Sequence, residues 1–225
     1  MTLTLEIRRA LTALADPARA ASMQRYMKSE MPFLGVAMPI FRKTVRPILK
    51  AHPVERFEAW RDDALALWHG AKYREERYAV VELMKDRRAR PFHTMQALPL
   101  VEELIVTGAW WDTVDAFAAD DLGLILKAEP KPMKKAMLSW ARSDDLWKRR
   151  SAILCQLRFK ENTDLDLLYR TITPALDSKE FFLRKAIGWA LRQYAWTDPK
   201  EVKRWVKEHE SELSGLSRRE ALKNL

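Results

Sequence analysis

Apolar positions along this chain recur with the period of an α-helix almost everywhere. Tyr78, Val81, Leu83 and Met84 fall close to one face, between the charged groups of Arg74, Glu75, Glu76 and Lys85. Ile187, Ala190, Leu191 and Tyr194 follow the i, i+3, i+4, i+7 spacing of one helical stripe. Strict alternation of apolar and polar residues is sustained nowhere, and no segment reads as a strand. Proline punctuates the pattern at short intervals from Pro17 to Pro199. Asp16-Pro17 and Asp198-Pro199 place a capping carboxylate directly before a proline at the first helical position, and Asp144 and Ser178 are further cap candidates. The pattern predicts about a dozen helices of ~8–17 residues joined by short connections. No Gly/Ser-rich linker divides them, so residues 1–225 read as a single domain.

Composition agrees with helix. The chain has only six Gly in 225 residues, too few for many tight strand turns. Nine Trp and a hydrophobic content of 48% are enough to build a core. A weak internal repeat adds architecture. Arg77-Tyr78-Ala79-Val80, Arg150-Ser151-Ala152-Ile153 and Arg184-Lys185-Ala186-Ile187 share Arg-x-Ala-(Val/Ile), with Arg150 and Arg184 34 positions apart and Arg77 and Arg150 73 apart. That spacing suits stacked helix pairs of the HEAT type, an all-α solenoid with a concave basic groove. In such an array Arg150 and Arg184 come into register, joined by Arg149, Arg158, Lys160, Lys185 and Arg192. A row of cations of that kind suits a duplex backbone, although a solvated charged face is the usual fate of such residues.

Charge points the same way. Forty Lys and Arg against 31 Asp and Glu leave a formal +9, which favours a polyanionic partner, nucleic acid before an anionic membrane. Cys155 is the sole cysteine and sits in the apolar run Ile153-Leu154-Cys155, so it reads as a buried thiol in a reducing, cytoplasmic setting. The N-terminus has no signal-peptide core, and no stretch has the roughly 20 apolar residues of a membrane span. Phosphate-binding glycine loops and the Gly-x-Ser-x-Gly elbow are absent from the sequence. His52, His69, His93 and His209 are dispersed without ligand spacing, so no metal site is expected.

The remaining chemistry is aromatic and acidic. In Ala109-Trp110-Trp111-Asp112-Thr113-Val114-Asp115, Trp111 and Asp115 are four apart and share a helix face. Trp189 lies one repeat beyond the Trp147–Arg150 region and is flanked by cations. Such a set could hold a cationic ligand over π faces. Spacing alone favours core tryptophans, with Asp112 and Asp115 as caps or surface charge.

At these residues the chain resembles the AlkD-like DNA alkylation repair family, glycosylases built from HEAT-like repeats. The resemblance runs in order through Tyr26-Met27-Lys28 with Phe33-Leu34-Gly35, Glu102 to Thr107 leading into Trp110 to Asp115, and Arg150 with Ala152-Ile153-Leu154. It continues through Ser178 to Phe182, Lys185 to Arg192, and Leu216 to Ala221. It implies that Asp115 is the essential carboxylate and that Trp111 and Trp189 cradle the damaged nucleotide. Arg150 then contacts a phosphate near the lesion, Tyr26 lines the same cleft, and Arg158 and Arg192 contact the backbone. Arg149, Arg184 and Lys185 join them as DNA-binding candidates from the repeat. The implied substrate is duplex DNA carrying cationic alkylpurines such as 3-methyladenine and 7-methylguanine, bound by a monomer without cofactor. A non-catalytic HEAT-repeat module for altered DNA is the alternative. The chain departs from the family after Phe33-Leu34-Gly35, where Ala37-Met38 replace a polar residue.

Overall fold

A computed structural model describes residues 2–225. Among them there are fourteen α-helices and no strand. The chain divides into two compact units, residues 1–92 and 93–225.

The first unit holds α1 (Leu3–Thr12), α2 (Pro17–Met27), α3 (Met38–Ala51), α4 (Phe57–His69) and α5 (Arg74–Met84), closed by a 3-10 turn at Arg87–Phe92. Helix α1 packs on α3, α4 and α5. Ile7, Leu11, Phe41, Val45, Trp60, Leu67 and Val80 form the core there. The predicted cap before Pro17 is present: Asp16 Oδ1 accepts from Arg19 N at 3.0 Å. Arg74, Glu75 and Glu76, the charged residues that open α5, are buried. Glu75 accepts from Leu34, Gly35 and Val36 N at 2.8–3.1 Å, and Glu76 takes two bonds from the Arg8 guanidinium and one from Lys72 N. A carboxylate with that many donors tolerates burial, and apart from Lys72 N the donors lie about 40 and 70 residues away, beyond any local pattern. Gly35 has φ +84 and stands where a Cβ would lie 2.2 Å from the Asp16 carbonyl oxygen, so only glycine lets these three amides converge.

The second unit holds α6 (Leu98–Gly108), α7 (Trp111–Ala116), α8 (Gly123–Ala128), α9 (Pro130–Trp140), α10 (Leu146–Leu154), α11 (Leu165–Ile172), α12 (Phe181–Ala195), α13 (Pro199–Glu208) and α14 (Gly215–Ala221). A π-helical stretch, Phe117–Leu122, joins α7 to α8 without a break. It turns Asp120 toward Arg158 and buries Asp121 against His93 Nε2 at 2.7 Å. Helix α10 is central and touches α6, α7, α9, α11 and α12, while α14 lies closely on α12. Asp198 caps α13 before Pro199 as the sequence indicates, through Lys200 and Glu201 N. The cap of α10 is Asp145 and not Asp144, because Asp145 has the extended backbone from which its carboxylate reaches Trp147 and Lys148 N. Ser178 does not cap α12; its hydroxyl accepts from Glu180 N in the approach to the helix. Cys155 is buried, which pushes its thiol up to about 12.

Two substitutions probe these contacts. Ala37 caps α3 with an extended backbone but offers no side-chain acceptor. Ala37→Ser therefore stabilises the protein by about 1 kcal/mol in urea denaturation. A Cβ at Gly188 would stand 2.4 Å from Glu220 Cβ and 2.8 Å from Ser217 O. Gly188→Ala must lift α14 off α12, and the same experiment is expected to show a loss of about 1–3 kcal/mol.

Candidate functional site

Helix α7 begins at Trp111 because Trp110 is extended (φ −153°, ψ 143°) and starts the turn with its carbonyl. One helical turn after Trp111, on the same face, comes Asp115. Both are half-buried. Helix α10 brings up Arg150, whose Nε and Nη2 donate to Asp115 Oδ1 and Oδ2 at 2.7 and 2.8 Å. Its third nitrogen, Nη1, donates to the Phe182 carbonyl in the first turn of α12. One guanidinium thus ties together α7, α10 and α12. The Arg150 side chain is 5% exposed and that of Asp115 15%.

Under this pair lies an aromatic floor. The Phe182 ring is 5.0 Å from Trp147 and 5.3 Å from Trp110, and these two indoles are 6.0 Å apart. The Arg150 guanidinium carbon stands 5.8 Å from the Phe182 ring centre. So apolar a setting strips water from Asp115. Burial pushes its pKa above the usual 3.8, the Arg150 hydrogen bonds and charge pull it back, and Asp112 adds a smaller upward push. The net direction is up.

Trp189 sits on α12 seven residues after Phe182, hence on the same helix face, about 10 Å further along the axis. It is half-buried. The cations named from sequence are mostly engaged within the protein. Arg149 Nη2 donates to Pro174 O at 2.7 Å and Arg184 Nε to Ser178 O at 2.8 Å. Arg158 pairs with Asp120 at 2.6 Å while remaining largely exposed. Lys185 and Arg192 share Glu220, at 2.9 and 2.6 Å. Lys160 is exposed in a left-handed conformation (φ 51°). Arg150 stands at the middle of α10 and Arg184 in the first turn of the neighbouring α12, and Arg150 is turned inward onto Asp115. Tyr26 belongs to the first unit, near the end of α2, and is 77% exposed.

The basic excess is uneven. Residues 1–92 carry 18 Lys and Arg against 11 Asp and Glu; residues 93–225, with Asp115 and both tryptophans, carry 22 against 20. Sequence reasoning missed the partners of its own candidates: the Phe182 carbonyl, the Trp110–Trp147–Phe182 floor and Glu220. The Arg150–Asp115 pair spans 35 residues and leaves no local signal. No group of three or more His, Cys, Asp or Glu with metal-binding geometry occurs among the described residues.

The sequence profile of a family described as DNA alkylation repair enzyme matches residues 7–225. Among solved structures, the chain is similar to one described as a predicted DNA alkylation repair enzyme from Enterococcus faecalis. The two share 29% identity with a TM-score of 0.81, over 94% of this chain and 96% of that one. No curated protein matches the chain.

Removing one partner of a desolvated pair strands the other. Arg150→Met is expected to lower unfolding free energy by about 3 kcal/mol, and Asp115→Asn in the same chain to recover a large part of that loss. A loss in the double variant equal to the sum of the losses in Arg150→Met and Asp115→Asn alone, measured by denaturant titration, would show that the pair is not coupled.

Proposed function

Because the chain belongs to the DNA alkylation repair enzyme family, we propose that it acts as a monofunctional DNA glycosylase, releasing cationic alkylpurines from duplex DNA as a monomer. The single observation that carries this reading is the Asp115 carboxylate, held by Arg150 over an aromatic floor and one turn from Trp111. The chemistry asks for such a group. An alkyl group on N3 or N7 makes the purine a cation and weakens its bond to C1′. When that bond breaks, its electron pair goes to the base, which leaves neutral, and the sugar becomes oxocarbenium-like. Ionised Asp115 stabilises that positive charge and orients a water molecule, whose oxygen bonds to C1′ as a proton is released. No cofactor enters the balance.

A preorganised group aimed at developing charge is worth roughly 3–4 kcal/mol. Arg150 supports the carboxylate in two ways: it favours the ionised form and fixes the direction of both oxygens. Trp111 and Trp189 offer π faces to the cationic base and the electron-poor sugar, at about 0.5–2 kcal/mol per contact. Arg149, Arg158, Arg184, Lys185, Arg192 and Tyr26 would then serve the phosphates, with salt-dependent affinity. Neutral lesions, whose glycosidic bond is not already weakened, gain little from this arrangement.

The alternative, a non-catalytic module that binds altered DNA, draws support from the same ion pair, since both Asp115 oxygens already accept from Arg150. Base release separates the two. With duplex DNA containing 7-methylguanine, the native protein is expected to liberate the free base under single-turnover conditions. Asp115→Asn is expected to slow release by about 10²–10³-fold while keeping DNA affinity. Tight binding with no released base would establish the module, and undiminished release by the variant would remove Asp115 from the chemistry.

A further inference from the structure

Helix α12 carries more than Trp189. Phe182, Lys185, Trp189, Arg192 and Trp196 are separated by steps of three, four, three and four, so they form one stripe along the helix. Trp196 follows the last helical residue with helical backbone angles (φ −67°, ψ −21°), so the stripe continues through it. Its members alternate: aromatic, cation, aromatic, cation, aromatic. Exposure rises toward the far end, from half-buried Phe182 and Trp189 to Trp196, which is 69% exposed. The cations are fixed in place from the flank. Glu220 on α14 binds Lys185 and Arg192 together, and the missing side chain of Gly188 lets α14 come close enough to do so. Two cations against one carboxylate leave the stripe positive.

Alternating indole faces and positive charges match the repeat of a nucleic acid strand whose bases are turned out of the stack. Every base offers a π face, and the charges meet the phosphates between them. A fully paired duplex hides base faces behind their neighbours, so an indole as exposed as Trp196 has a stacking partner only where pairing is lost. The axial distance from Trp189 to Trp196 is about 10 Å, or about three nucleotides at the ~3.4 Å spacing along one strand. We propose that α12 is a platform for unpaired nucleotides beside the lesion, with Trp196 stacking on a base about three positions from the one held at Trp189. The proposal rests on the DNA reading of the preceding subsection and adds to it a preference for locally melted duplex.

The test uses three duplexes of equal length, each with a central tetrahydrofuran abasic analogue. One is otherwise fully paired; the others carry three consecutive mismatches, 5′ of the analogue in one and 3′ in the other. The full chain is expected to bind one mismatched duplex about tenfold more tightly than the paired one, a size typical of one stacked base. Trp196→Ala is expected to abolish that preference and Trp196→Phe to retain it. The salt dependence of binding is expected to stay unchanged in Trp196→Ala, since no charge is removed. Circular dichroism melting confirms that the exposed position is structurally neutral. Equal affinity of the native chain for all three duplexes, or an undiminished preference in Trp196→Ala, overturns the platform while leaving the glycosylase reading intact. Absence of binding to every duplex overturns both. If sedimentation shows self-association that Trp196→Ala abolishes without change in DNA affinity, Trp196 is a contact between copies and the platform is likewise overturned.

Discussion

A carboxylate drawn out of water needs a cation and donors around it, and at Asp115 one guanidinium supplies both. Arg150 reaches Asp115 on α7 with two nitrogens and the Phe182 carbonyl on α12 with the third. The helices of the second unit are therefore joined at the point where the charge sits. Trp110, Trp147 and Phe182 close the underside and lower the local dielectric, which strengthens the ion pair and raises the cost of leaving it incomplete. The desolvation is not fully offset, since the Asp115 pKa stays above its ordinary value. An acid whose pKa is higher folded than unfolded destabilises the folded state at neutral pH, and the loss is relieved as pH falls through the raised value. The second unit thus gives up some stability to hold a negative charge one turn from the half-buried Trp111, a trade typical of sites built for chemistry.

Helix α12 extends this logic along its length. Its first turn closes the Arg150 shell, its middle carries Trp189, and its last turn leads to Trp196. Gly188 is the hinge of the arrangement in the packing sense. With no Cβ there, Glu220 lies against α12 and holds Lys185 and Arg192 at fixed positions between the aromatic residues. Charge is distributed differently elsewhere: the larger basic excess belongs to residues 1–92, while the second unit nearly balances its charges through pairs such as Arg158–Asp120.

Much of the fold was legible because helices announce themselves locally. The 3.6-residue period, the scarcity of glycine and the Asp-Pro caps at Asp16 and Asp198 need only a few neighbours to be read, and they appear as expected. Asp144 failed by one residue because it is Asp145 whose extended backbone lets its carboxylate reach the helix amides. Glu75 and Glu76 were unreadable because their burial depends on donors from residues 34–36 and Arg8. Of the site, the i, i+4 relation of Trp111 and Asp115 is local and was visible. The inward turn of Arg150 is long-range and was not. The alternation from Phe182 to Trp196 was present in the spacing, but it gains meaning only with the exposure of each position.

The central claim is that Asp115 is a desolvated carboxylate kept ionised by Arg150. The most direct measurement is a titration of the Asp115 carboxyl carbon by ¹³C NMR, in the native chain and in Arg150→Gln. The account predicts a midpoint above 3.8 in the native chain and a further rise in the variant. A native midpoint at or below the ordinary aspartate value, or one that does not move when Arg150 is neutralised, would contradict it.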